Sequence, residues 1–336
     1  MINKTFKIND IINIKNAVLL APMEGITNLP FRILCRELGA DIVYTEFTAS
    51  EALVRNIDKS LRKLKLSPKE HPVAIQIFGS NPNAMAESAK IAQDKGADFV
   101  DINYGCWVKK IVSNNAGSAL MKNPLLMAEI TNKCVNSVSI PVTIKTRLGW
   151  DKNNINIFEI AELQEQAGAK AITVHCRTRD MKISGNADWS YIPEIKKHIT
   201  IPLVLNGDIN TPEKAYQALQ TEGADAIMIG RAAVGNPFIF RNAKYMIEHG
   251  TPPEPITIRE RLDICLKHLS LCIEYQGQHG IYEFRKHYSG YLKGIHNASN
   301  VRQKLVIAET FDEIKDLIEK FYEEIQIYYN NYNNLN

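Results

Sequence analysis

Cys106 is the residue of this chain whose setting most suggests chemistry. It follows the apolar run DFVDINY in the stretch NYGCWVKK, which leads into a segment rich in Ser, Asn and Gly. A thiol in a loop is not a core hydrophobe, whereas Cys35, Cys134, Cys265 and Cys272 fall in helix-like runs where that role is natural. Lys109 and Lys110 stand close by in sequence. Facing the sulfur they would favour a thiolate nucleophile; facing away they would leave a thiol able to donate a proton.

Other side chains join it on chemical grounds. Lys145 interrupts the strand-like PVTIKTR, and a buried ammonium needs a counter-charge. Asp101 or Glu46 could supply it, as could an anionic cofactor such as a reduced flavin. Gln76 sits in VAIQIFG, where its amide must find a partner, on a flavin edge or on a neighbouring strand. His175 ends the run KAITVHC, as a hydrogen-bonded structural residue or as a site residue. Asn206-Gly207-Asp208 and Gly230-Arg231 each close an apolar run with glycine, which lets backbone amides approach an anion while Arg231 adds charge.

These residues share a position relative to the elements that carry them. Eight β-branched, apolar runs span 17–23, 41–47, 73–79, 98–104, 141–147, 170–176, 202–208 and 225–231, with amphipathic helical stretches between them. That alternation and size predict an α/β fold, a (β/α)8 TIM barrel; an open doubly wound sheet would be unusually large. In such barrels function lies at the carboxyl ends of the strands. Met23, Glu46, Gln76, Asn103, Cys106, Lys145, Arg147, His175, Arg177, Asn206, Asp208 and Arg231 all fall there.

After the Pro-rich HGTPPEP near residue 250 the strand signals stop. Apolar residues then recur at helical spacing, as in Ile258, Leu262, Leu266, Leu269 and Ile273, and again in Phe311, Ile314, Leu317, Phe321 and Ile325. The expectation is a catalytic barrel over 1–245 and a small C-terminal helical bundle over 256–328, ending in a frayed polar tail, YYNNYNNLN.

Bulk properties exclude several classes. Forty Lys and Arg against 37 Asp and Glu leave +3, which gives no vote for or against nucleic acid. The six cysteines form no CxxC pair, so neither a disulfide framework nor a metal site is expected, and reduced thiols in a cytoplasmic protein are the simplest reading. No run of apolar residues is long enough for a membrane span, and no leader is expected.

Read together, the strings APMEGITNLPFR, INYGCWVKK with NNAGSAL, VTIKTRLGW, TVHCRTR with GNADW, NGDI and MIGRAAVGNPFIF resemble the tRNA-dihydrouridine synthase family, in order and at family-like spacing. The match runs from about residue 17 to 240, and FRKHYSGYLKG extends it to roughly 310. The resemblance implies an FMN enzyme in which Pro22, Met23, Gln76, Lys145, Asn206, Gly207, Asp208, Gly230 and Arg231 hold the cofactor, with Glu24 beside them and His175 near the ribityl-phosphate side. It also implies that Cys106 donates a proton, and that NADPH or NADH supplies the electrons.

The implied reaction adds hydride to C6 of a uridine and a proton to C5. Implied substrate contacts are Asn103, Lys109, Lys110, Arg147 and Arg177 at the barrel, and Arg285, Lys286 and Lys293 in a helical tRNA-binding domain. A monomer with no obligatory protein partner is expected. Two positions depart from the family pattern: Trp107 follows the cysteine where proline is usual, and Cys176 follows His175 where glycine is usual. Trp107 removes a φ constraint, which puts loop geometry, rate or substrate choice in question. An FMN barrel acting on a free pyrimidine, like a dihydroorotate dehydrogenase, and a catalytically dead RNA-binding barrel are the alternatives.

Overall fold

A computed structural model describes residues 2–333, with side chains through 330. The chain opens with an antiparallel hairpin, β1 (Thr5–Lys7) and β2 (Asn13–Lys15). Nine parallel segments follow: β3 (Val18–Leu20), β4 (Val43–Tyr44), β5 (Thr48–Ala49), β6 (Val73–Phe78), β7 (Phe99–Asn103), β8 (Val142–Arg147), β9 (Ile172–His175), β10 (Leu203–Asn206) and β11 (Ala226–Ile229). Their order is β3-β11-β10-β9-β8-β7-β6-β4, and a parallel bridge between Leu19 and Ile42 joins the two ends, giving the eight-stranded barrel expected from the sequence.

One strand is not continuous. The run 41–47 holds only β4, and pairing with β6 resumes beyond it at β5; between them the Thr45 side-chain oxygen accepts the Gln76 backbone N–H at 3.0 Å, taking the place of a ladder carbonyl.

Alternation along the strands sorts side chains between two environments. Val73, Ile75, Ile77, Val100, Ile102, Val142, Ile144, Leu203 and Leu205 pack outward against the helices. Leu19, Tyr44, Ala74, Phe99, Val204 and Met228 form a separate interior cluster together with Phe6, Ile8 and Ile12 of the hairpin region. Further along the same strand faces the interior positions become polar: Gln76, Asp101, Asn103, Thr143 and Asn206 are all buried. This change from apolar to polar is what gives the carboxyl end of the barrel a site.

The chain divides into two compact units. The first comprises Met1–Ala233 and Phe238–Pro252; the second comprises Val234–Pro237 and the chain from Pro253 onward. Within the second, Ile258–Gln276, Gln278–Phe284, Ala298–Leu305 and Phe311–Asn333 are helices around a core of Leu262, Leu269, Phe284, Tyr288, Leu305, Ile314 and Phe321. Gly235 packs against this core so closely that a Cβ there would lie 2.6 Å from the Gly290 Cα. The expected fraying does not begin at Tyr328: the last helix continues to Asn333, because Tyr328 stacks on His296 at 3.7 Å and Tyr329 packs on the core. Residues 334–336 of the predicted tail lie outside the described residues.

Candidate active site

A cavity of about 810 Å³ opens at the carboxyl ends of the barrel strands. Its walls include Pro22, Met23, Glu24, Asn103, Cys106, Lys145, Arg147, His175, Arg177, Asn206, Gly207, Asp208, Gly230 and Arg231, so residues far apart in sequence converge there.

The cysteine loop is built from the end of β7. Asn103 Oδ1 accepts from the backbone nitrogens of Gly105 at 3.0 Å and Cys106 at 2.9 Å, an Asx turn that folds the loop back over the strand. On the far side Ser118 N donates to the Cys106 carbonyl at 3.0 Å. Gly117, at φ +59°, allows that approach, since a Cβ would lie 2.9 Å from the Cys106 oxygen. Arg147 ties the loop to a second one: its Nε donates to Gly105 O at 2.9 Å and its Nη1 to the carbonyls of Thr178 and Lys182 at 3.0 and 2.8 Å.

Electrostatics set the state of the thiol. Burial pushes the Cys106 pKa above its ordinary value, outweighing the opposing pull of the Val108 N–H, Arg147 and Lys145. Lys109 and Lys110 are exposed on the short helix Lys109–Val112 and are not among the groups acting on the sulfur. Cys106 is therefore a thiol at neutral pH, which suits an acid and not a nucleophile.

In the rest of the cavity lining cations outnumber carboxylates, Lys145, Arg147, Arg177, Lys214 and Arg231 against Glu24 and Asp208. Burial and the neighbouring Arg147 draw Lys145 down to about 8, with Asp101 opposing from a distance. Neither proposed carboxylate pairs directly with Lys145: Asp101 accepts from Gln76 and Thr143, and Glu46 accepts from the Gly25 backbone. Burial, then Lys145, Arg147, Arg177 and Arg231, hold His175 well below its usual range, so its imidazole is neutral. Arg231 is 56% exposed at the rim.

The turn after β10 is locked from below. Gly207 and Asp208 both take positive φ, +124° and +55°. A Cβ at Gly207 would strike the Ala187 Cβ at 2.8 Å, and its carbonyl accepts from Trp189 Nε1 at 2.9 Å. Burial alone would raise the Asp208 pKa, but hydrogen bonds from Arg177 and the Ala187 N–H, with the charge of Arg231, bring it below the usual range.

Several of the expected site residues have partners within the protein. Gln76 does not line the cavity: it is fully buried, with its amide between Asp101 and Asn103. Glu24 lines the cavity, yet its carboxylate pairs with Lys63. Arg147 and Arg177 line the cavity yet are almost completely buried, and they donate to loop carbonyls and Asp208, so they brace the site. Asn103 likewise spends its amide within the protein. Arg285, Lys286 and Lys293 belong to the second unit, where Lys286 and Lys293 are exposed and Arg285 lies over the Tyr282 ring at 4.7 Å.

Phe47, Asn186, Asn210 and Lys214 also line the cavity and were missed. Lys214 had a legible signal, a cation in the first turn of Pro212–Gln220 just after the NGD turn.

The dihydrouridine synthase family model matches residues 19–326. The chain belongs to the dihydrouridine synthase family. Dihydrouridine synthases are flavin-dependent oxidoreductases, and the chain is an enzyme of that class. It is 38% identical to tRNA-dihydrouridine synthase B of Vibrio cholerae over 93% of this chain and 97% of the relative. Identity to tRNA-dihydrouridine synthase B of Proteus vulgaris is 40%, over 92% and 96%. A probable tRNA-dihydrouridine synthase of Rickettsia conorii is 38% identical over 94% and 96%. Among solved structures, a histamine dehydrogenase from Rhizobium sp. 4-9 superposes with a TM-score of 0.58 at 13% identity, covering 80% of this dihydrouridine synthase family member and 51% of that chain, a likeness of fold alone. Among the described residues no helix is long and apolar enough to cross a membrane.

Proposed function

We propose that this chain reduces the C5=C6 bond of uridines in tRNA, with FMN bound in the barrel cavity, electrons from NADPH or NADH, and Cys106 as the proton donor. The observation that carries this reading is a protonated loop thiol in one wall of a cavity where cations outnumber carboxylates. A volume of about 810 Å³ suits a cofactor together with one base. Lys145, without a direct carboxylate partner, fits an anionic flavin, and the turn at Gly207 and Asp208 with Arg231 fits a phosphate.

Met23, Lys145, His175, Asn206, Gly207, Gly230 and Arg231 would hold the cofactor, which supplies hydride for C6 when bound. The uracil C5=C6 bond is conjugated to the C4 carbonyl, so charge developing at C5 needs an acid. Cys106 meets that need by donating from Sγ, and the pinned Asx turn fixes where the sulfur stands. Neutral His175 adds hydrogen-bonding capacity without a further charge. A uridine must leave its stack to enter the cavity, which costs least in tRNA loops. Lys109 and Lys110 outside the cavity, and Lys286 and Lys293 on the helical unit, would meet phosphate.

Cys106→Ala is the test. It should keep FMN yet form no dihydrouridine on undermodified tRNA; full turnover would refute the acid role. Turnover of free uracil or dihydroorotate without RNA would favour the free-pyrimidine alternative.

A further inference from the structure

Four interior residues of adjacent strands, Thr143, Asp101, Gln76 and Asn103, form a chain of hydrogen bonds that ends on the cysteine loop. Thr143 Oγ1 donates to Asp101 Oδ1 at 2.6 Å, and Gln76 Nε2 donates to Asp101 Oδ2 at 2.6 Å. Gln76 Oε1 accepts from Asn103 Nδ2 at 2.9 Å, which leaves Asn103 Oδ1 for the Gly105 and Cys106 nitrogens. Two of the links join cross-strand partners: Gln76 pairs with Asp101 across β6 and β7, and Asp101 with Thr143 across β7 and β8.

An amide can point either way, so something must choose its sense. A carboxylate only accepts. It therefore takes the Gln76 NH2, turns the Gln76 oxygen to Asn103, and turns the Asn103 oxygen to the loop. The backbone N–H groups only donate, and impose the same sense from the other end. A buried chain whose two ends agree has a single satisfied arrangement.

We propose that Asp101 is a positioning residue for Cys106: through Gln76 it sets the direction of the Asn103 amide and so holds the cysteine loop in its working shape. The carboxylate is fully buried and does not line the cavity, so it touches no reacting group. Burial raises its pKa to about 6, with the two hydrogen bonds and Lys145 opposing, and it is thus mostly ionised at neutral pH. The importance of this device for turnover rests on Cys106 being the acid; the device itself does not.

Cys106 is partly accessible while the other five cysteines are buried, so the alkylation rate of the native protein with iodoacetamide reads the loop alone and needs neither RNA nor flavin. At Asp101→Asn the side chain can offer Gln76 a donor or an acceptor, and the sense is no longer fixed from that end. Alkylation should accelerate about fivefold, the equivalent of one weakened hydrogen bond. In a Gln76→Met background the relay is already cut, and adding Asp101→Asn should change the rate no further. In the complete enzyme, kcat should fall while KM for tRNA holds. An unchanged rate in Asp101→Asn would overturn the proposal. So would an undiminished effect in the Gln76→Met background, which would mean that the charge acts through space. Should Asp101→Asn fail to fold, Thr143→Val, which loosens the carboxylate without removing it, stands in under the same criteria. Activity in Cys106→Ala would sink the acid role and leave this result untouched.

Discussion

Arg177 donates from one nitrogen, Nη2, to both carboxylate oxygens of Asp208, at 2.7 and 2.6 Å, and thereby joins the loop after β9 to the turn after β10. The same nitrogen reaches Gly185 O at 2.6 Å, and Nε reaches Ser184 O at 3.1 Å. One nearly buried guanidinium thus closes the floor of the proposed phosphate end. Arg177→Met should leave a partly buried carboxylate without its partner and cost about 3 kcal/mol of stability. Urea unfolding would measure this, and FMN retention should fall with it.

Arg231 stands in contrast because it is more than half exposed and is paired with Asp208 only at 3.5 Å. Arg231→Ala should leave the urea midpoint nearly unchanged while weakening FMN about tenfold, the scale of one charge-assisted contact. Riboflavin, which lacks the phosphate, should lose little. Equal loss for both flavins would place the arginine away from the phosphate.

Gly117 packs beneath the cysteine with φ +59°. Gly117→Ala would put a methyl group 2.9 Å from the Cys106 carbonyl oxygen and force a left-handed conformation, a cost of roughly 1–2 kcal/mol before any clash. The expected result is a folded protein with kcat reduced at least about tenfold, since misplacing a reacting group by a fraction of an ångström is expensive. Wild-type turnover would show that the loop adapts.

Lys145 gives a pH signature. Its pKa is drawn down to about 8 in the folded chain, against about 10.4 unfolded. Between those values the unfolded state binds more protons, so this group makes the flavin-free protein more stable as pH rises from 8 to 10. Lys145→Met should flatten that part of the unfolding free-energy curve. For the same reason an anionic flavin should bind the parent protein less tightly above pH 8, and the variant weakly throughout. Parallel curves for parent and variant would contradict the assigned shift.

Much of this was legible from local pattern. Each strand candidate contains a strand of the barrel, because β-branched, apolar runs between amphipathic helices have few other ways to bury both faces. Period-two alternation also hinted at the interior: Ala74 and Gln76, Phe99, Asp101 and Asn103, and Thr143 and Lys145 fall on common strand faces. The N-terminal hairpin had only three residues per strand and gave no periodic signal.

The sequence by itself determined which residues stand at the strand ends, and hence that Cys106, Lys145, His175, Asn206 and Arg231 share one cavity, because strand length and alternation are properties of consecutive residues. Tertiary structure decided how each polar group is spent. Arg147 and Arg177 look like free cations on a line of text, but the fold surrounds them with the carbonyls of 178, 182, 184 and 185 and the Asp208 carboxylate. Gln76 and Asp101 lie 25 residues apart and become partners only through strand register. Hydrogen-bond assignment depends on distances of a few tenths of an ångström between segments remote in the chain, and no local pattern carries that information.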